Sequence, residues 1–183
     1  MTRLLNILIV ILEVIAFSKS IKGRKIWQLL VYYTQLSNFL TFIASLLFVL
    51  FGAKEFVEIL RYISVCMLIM TFLVTACVLV PMSHDAKGLL FSGSGLFHHL
   101  IIPILSSLTY FIGEPKAPFA FIWTTPLVTL IYGLIMLRLN YIGIVEGPYP
   151  FFKIRNLGAL KTTAWMIVLM IVVSIISALG GLV

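Results

Sequence analysis

The sequence predicts an all-α integral membrane protein, a single bundle of six transmembrane helices. Three observations carry this reading. Of 183 residues, 62% are hydrophobic and only 10% are charged, which is more apolar surface than a water-soluble domain of this length can hide. Mean hydropathy is +1.17. The apolar residues gather in six runs, near 4–21, 26–51, 61–81, 96–113, 118–138 and 160–182. Each is long enough, or nearly so, to cross a hydrocarbon core of about 30 Å. Strand-type alternation is absent from the runs, which argues against a β-barrel.

The first run, LLNILIVILEVIAF, is short and contains Glu13. Arg3 and the following AFS have the outline of a signal peptide, but a carboxylate inside the apolar stretch argues for a retained helix. The second run is the most polar, with Thr34, Gln35, Ser37, Asn38 and Thr41 inside YYTQLSNFLTF. The third carries Cys66 and Cys77. On one helix they stand about 16 Å apart, too far for a disulfide. The fourth opens on His98 and His99, with Pro103 following. The fifth and sixth are more uniformly apolar. The connecting loops are short. SHDAKGLLFSGSG and GEPKAP carry turn residues, and no linker or repeat divides the chain, so residues 1–183 read as one domain.

The net charge of +7 does not point to nucleic acid. The basic residues sit in short loops, where they act as topology signals and headgroup contacts. Lys19, Lys22, Arg24, Lys25, Lys87, Arg138, Lys153, Arg155 and Lys161 fall on one side. Arg3, Lys54, Arg61 and Lys116 fall on the other. The imbalance predicts cytoplasmic first, third and fifth loops, with both termini outside. The short loops suit a bacterial cell membrane.

With that topology, polar groups from five helices fall in the half of the bilayer nearer the basic loops. Thr34, Asn38, Thr41 and Ser45 follow one helical face, as do His99, Pro103, Ser106 and Tyr110. His98 lies about 100° from the latter stripe. Thr71 shares a face with Thr75, and Asn6 with Glu13. Unpaired polar groups in lipid are costly, so these stripes are expected to point inward. They form either interhelical hydrogen-bond glue or the wall of a cavity. His84, His98 and His99 lack the spacing of a helical metal site, and no P-loop or dinucleotide fingerprint is present. No metal and no cofactor are expected.

Three fragments, YYTQLSN, FHHLIIPILSSLTYF and EGPYPFF, make the chain resemble the androgen-induced-protein family of multi-pass membrane proteins, in its bacterial six-helix branch. The resemblance runs from about 26 to 152. Some animal members hydrolyse fatty-acid esters of hydroxy fatty acids with an intramembrane threonine and histidine. The resemblance places the threonine at Thr34 and the histidine at His99 or His98, counted to Pro103, with His99 favoured by helical phase. The family's asparagine three residues after the threonine is replaced here by Ser37, with Asn38 one place later.

In chemical terms, a threonine hydroxyl needs a base within reach, and a neutral imidazole can take and return its proton. Gln35, Ser37 or Asn38 is a candidate donor to an oxyanion. Glu13 is a candidate to orient the imidazole, and Thr75 and Pro103 support the site. The expected activity is lipid-ester hydrolysis or acyl transfer. The expected partner is a membrane lipid or fatty-acyl ligand, with a homo-oligomer open. A transporter of a small amphiphile or ion, and a non-catalytic scaffold or sensor, are the alternatives.

Overall fold

The computed structural model describes residues 1–22, 26–146 and 149–182. Arg24 and Lys25 of the first loop, and Gly147 and Pro148 of EGPYPFF, lie outside the described residues. Six helices are long and apolar enough to cross a membrane: α1 (Thr2–Ile21), α2 (Tyr33–Phe51), α3 (Glu55–Ser83), α4 (Leu96–Gly113), α5 (Phe119–Tyr141) and α6 (Ala159–Leu182). Among the described residues there is no strand. Large apolar side chains such as Ile112, Ile131, Leu134, Ile167 and Ile171 point outward, the arrangement that suits a lipid solvent.

Helix α3 is the hub and packs against α2, α4, α5 and α6. Helix α1 touches α2 and α4, so α1–α4 close into a ring. Helices α5 and α6 pair and dock on the other side of α3. The α3–α6 crossing is close because Gly180 has no side chain: a Cβ there would stand 3.2 Å from Cys66 Sγ and 3.3 Å from the Tyr62 ring. Tyr62 Oη then reaches the Ser177 carbonyl at 2.7 Å. Both cysteines are free.

Three departures from the sequence expectation shape the site. The first is in α3, which begins at Glu55 rather than near 61. Glu55 and Glu58 fall in its first turn, where carboxylates suit the helix dipole. Arg61 therefore lies inside the helix and is fully buried, although the sequence groups it with the second loop. It donates to both Glu114 oxygens, at 2.9 and 3.0 Å, and to Ser45 and Ser106. Asn6 Nδ2 adds a 2.8 Å bond to Glu114. This clasp ties α1, α2, α3 and α4 together at one end of the bundle. Beside it, Lys116 donates to the Tyr110 and Phe111 carbonyls and closes the end of α4.

The second departure is a break in the second apolar run. A short helix covers Ile26–Leu29, and α2 restarts at Tyr33. A helix break frees backbone groups that must find partners. Tyr132 Oη donates to the Val31 carbonyl at 2.8 Å and accepts from Tyr33 N at 3.1 Å. Tyr149 Oη accepts from Thr34 N at 3.3 Å.

The third departure is local widening. Thr75–Leu79 of α3 and Leu96–Ile101 of α4 are π-helical. Each is followed by a proline. Pro81 stands four residues after Cys77, and Pro103 four after His99. Proline cannot donate to the carbonyl four residues back, and its ring crowds that carbonyl. A wider turn relieves both problems.

Candidate functional site

The site lies at the end of the bundle opposite the Arg61–Glu114 clasp. The break before α2 puts Thr34 in the first turn of that helix, where backbone N–H groups and the positive end of the dipole face outward. Thr34 is buried. Its hydroxyl pairs with Tyr149 Oη at 3.3 Å. Tyr149 is itself buried within an aromatic cluster, stacked on Phe151 with ring centroids 5.2 Å apart. Burial pushes the Tyr149 phenol above its ordinary range, while its hydrogen bonds to Thr34 pull the other way.

The π segments place the two histidines. His99 Nδ1 meets Thr75 Oγ1 at 2.9 Å, so one widened turn grips the other. His98 is fully buried between α1 and α2. Its Nδ1 stands 3.2 Å from Gln35 Nε2 and 3.5 Å from Ser20 Oγ, and its Nε2 is 3.6 Å from Glu13 Oε2. Phe17 packs on the ring at 5.0 Å. The sequence stripe favoured His99 on α-helical phase. A π turn takes one more residue per turn, so one turn before Pro103 falls at His98; His98 is fully buried while His99 is only half-buried.

Two cavities meet at Thr34. One, of about 320 Å³, is lined by Thr34, Gln35, His98, His99 and Tyr149, with Ser94 and Gly95 from the third loop. The other is a slot of about 40 Å³ between α2, α3, α5 and α6, whose lining includes Met70, Val74, Phe151, Phe152, Met166 and Met170. Thr34 and Tyr149 border both cavities.

The remaining sequence-selected residues take these places. Asn38 is buried and donates to the Thr34 and His98 carbonyls, at 2.7 and 3.3 Å. Ser37 donates to the Thr34 carbonyl and pairs with Thr71 Oγ1, both at 3.0 Å. The Asn38 Nδ2 group and the Ser37 hydroxyl are thus engaged within the protein. Thr75 borders the slot and holds His99. Pro103 is buried just beyond the widened turn, and His84 is exposed at the end of α3. Among the described residues no hydrogen bond joins Thr34 to either imidazole. Both Glu13 oxygens, Gln35 Oε1, Asn38 Oδ1 and His98 Nε2 are buried without a hydrogen-bond partner there. Among those residues, too, no group of three histidine, cysteine or acidic side chains is placed to hold a metal.

Sequence reasoning did not single out Tyr149, Tyr132 or Ser20. The available signal for Tyr149 was an aromatic cluster, YPFF, between two apolar runs. Comparison with protein-family models, curated proteins and solved structures gave no match.

Proposed function

We propose that this protein is an intramembrane acyl-transfer enzyme, a hydrolase or acyltransferase acting on fatty-acyl esters. One observation carries the reading: Thr34 stands where a polar cavity holding two imidazoles meets an apolar slot. An ester has the same division, with a polar linkage beside a hydrocarbon chain. A scaffold would need neither space. The sequence resemblance to a family of intramembrane threonine hydrolases supports the same assignment.

In this reading Thr34 Oγ1 attacks the ester carbonyl carbon. His99, donating Nδ1–H to Thr75, keeps Nε2 as the acceptor for the threonine proton. The carbonyl π electrons move to oxygen, and the oxyanion is met by Tyr149 Oη and the amino-terminal turn of α2. The intermediate collapses, the C–O bond to the alcohol breaks, and His99 returns the proton to the departing oxygen. Water from the polar cavity then attacks the acyl-threonine, with His99 again carrying the proton, and releases a fatty acid. His98, backed by Glu13, fixes Gln35 in the cavity wall. The basic loops around this end support a cytoplasmic position for the polar cavity by the positive-inside rule.

The test uses the purified full chain in detergent with a long-chain p-nitrophenyl ester. Thr34→Ala is expected to reduce turnover to background, and Thr34→Ser to retain it. Undiminished turnover by Thr34→Ala would refute the assignment. A second reading, proton-linked carriage of an amphiphile, is favoured by the buried Glu13–His98 pair. Uptake into liposomes that survives Thr34→Ala but not Glu13→Gln would select it.

A further inference from the structure

The apolar slot is separated from the outer surface by two side chains. Met166 and Met170, on its α6 wall, also line a groove of about 500 Å³ on the outer surface between α5 and α6. The groove is otherwise walled by Leu130, Ile167, Ile171 and Ile175, with Thr163 and Ser174. The two methionines are therefore the partition between slot and surface. On the α5 side the partition leans on Gly133, which also borders the slot. A Cβ there would stand 2.5 Å from Met166 Cε and 4.0 Å from the Phe152 ring. The missing side chain leaves Met166 room to lie flat. Methionine has three soft torsions and no branch, so it can swing aside without disturbing its neighbours.

Building on the acyl-transfer reading above, we propose that α5 and α6 form a sideways portal through which one unbranched acyl chain passes from the bilayer into the slot, past Met166 and Met170, to bring its polar end to Thr34. Three features select this occupant. The inner slot is narrow and its exposed wall is almost wholly apolar. The outer groove is walled by Ile167, Ile171 and Ile175, which are exposed toward the lipid. The end of the slot at Thr34 is where hydroxyl groups and imidazoles begin.

The test is photolabelling of the full chain in nanodiscs, with palmitic acid carrying a diazirine near its methyl end, followed by peptide mapping. Insertion is expected at Met70, Phe152, Met166 and Met170. Met166→Trp is expected to lower that labelling about tenfold, the change for excluding a methylene or two from burial, and Met166→Ala to raise it. Label confined to outward residues such as Ile131 and Ile167, in the unaltered chain, would overturn the portal, and that result does not depend on whether the tryptophan variant folds. Labelling is read without turnover. Slot labelling with no ester cleavage would sink the catalytic assignment alone, and cleavage without slot labelling would sink the portal alone.

Discussion

Replacing Arg61 by methionine would leave the Glu114 carboxylate buried with one donor, the Asn6 amide. In the native protein Arg61 supplies four hydrogen bonds, two of them to Glu114 and one each to Ser45 and Ser106. Both charged side chains are essentially inaccessible, at 0% and 1% exposure. Removing one partner of such a pair costs about 3–5 kcal/mol, because the other charge remains desolvated. Removing both avoids that penalty. Arg61→Met combined with Glu114→Leu is therefore expected to lie within about 1 kcal/mol of the native chain. The coupling between the two sites should exceed about 2 kcal/mol in a double-mutant cycle. The assay is reversible denaturant unfolding in mixed micelles, followed by far-ultraviolet circular dichroism. If Arg61→Met costs less than about 1 kcal/mol, or the double variant costs the sum of the singles, the clasp is not the charge-paired junction described here.

Other expectations concern the opposite end. Thr75→Val removes the partner of His99 Nδ1 while keeping shape; kcat on the p-nitrophenyl ester should fall about tenfold or more with KM little changed, as for a group that positions a base. Glu13→Gln replaces a buried carboxyl that has no hydrogen-bond partner. It should raise the unfolding free energy by about 1 kcal/mol while lowering turnover, the usual trade between stability and activity. Tyr149→Phe removes the hydroxyl that both pairs with the Thr34 side chain and accepts from its N–H. It should cost about 1–2 kcal/mol and depress kcat. Tyr149 also has a pH signature. A phenol pushed up by burial contributes its full stability below the unfolded value of about 10, and loses it only as pH rises beyond that. The native chain should therefore show a steeper alkaline loss of stability than Tyr149→Phe, and identical slopes would contradict the burial of this group.

The six helices were legible in the sequence because each apolar run has the length a bilayer demands, and a chain in lipid has few other solutions. Their polar faces were legible for the same reason. Thr34, Asn38, Thr41 and Ser45 share one stripe and are all buried. What stayed hidden depends on partners remote in the chain. The interruption before Thr34 is sustained by Tyr132 and Tyr149, about a hundred positions later. Arg61 reads as a loop charge until Glu114, Ser45 and Ser106 are seen around it. The burial of His98 was not legible because periodicity assumes 3.6 residues per turn, whereas Leu96–Ile101 is π-helical. Pro103, four places after His99, was the local sign that the turn would widen.

The interruption before α2 has a consequence for biosynthesis. Its backbone groups depend on side chains translated long afterwards, at Tyr132 and Tyr149. A ribosome-bound chain that has released only its first four spans can form the α1–α4 ring, with its clasp, but cannot hold Thr34 in place. Thr34 is set only when the stretch ahead of the last span folds back over the bundle. An unfinished molecule therefore enters the bilayer with its proposed chemistry still unassembled.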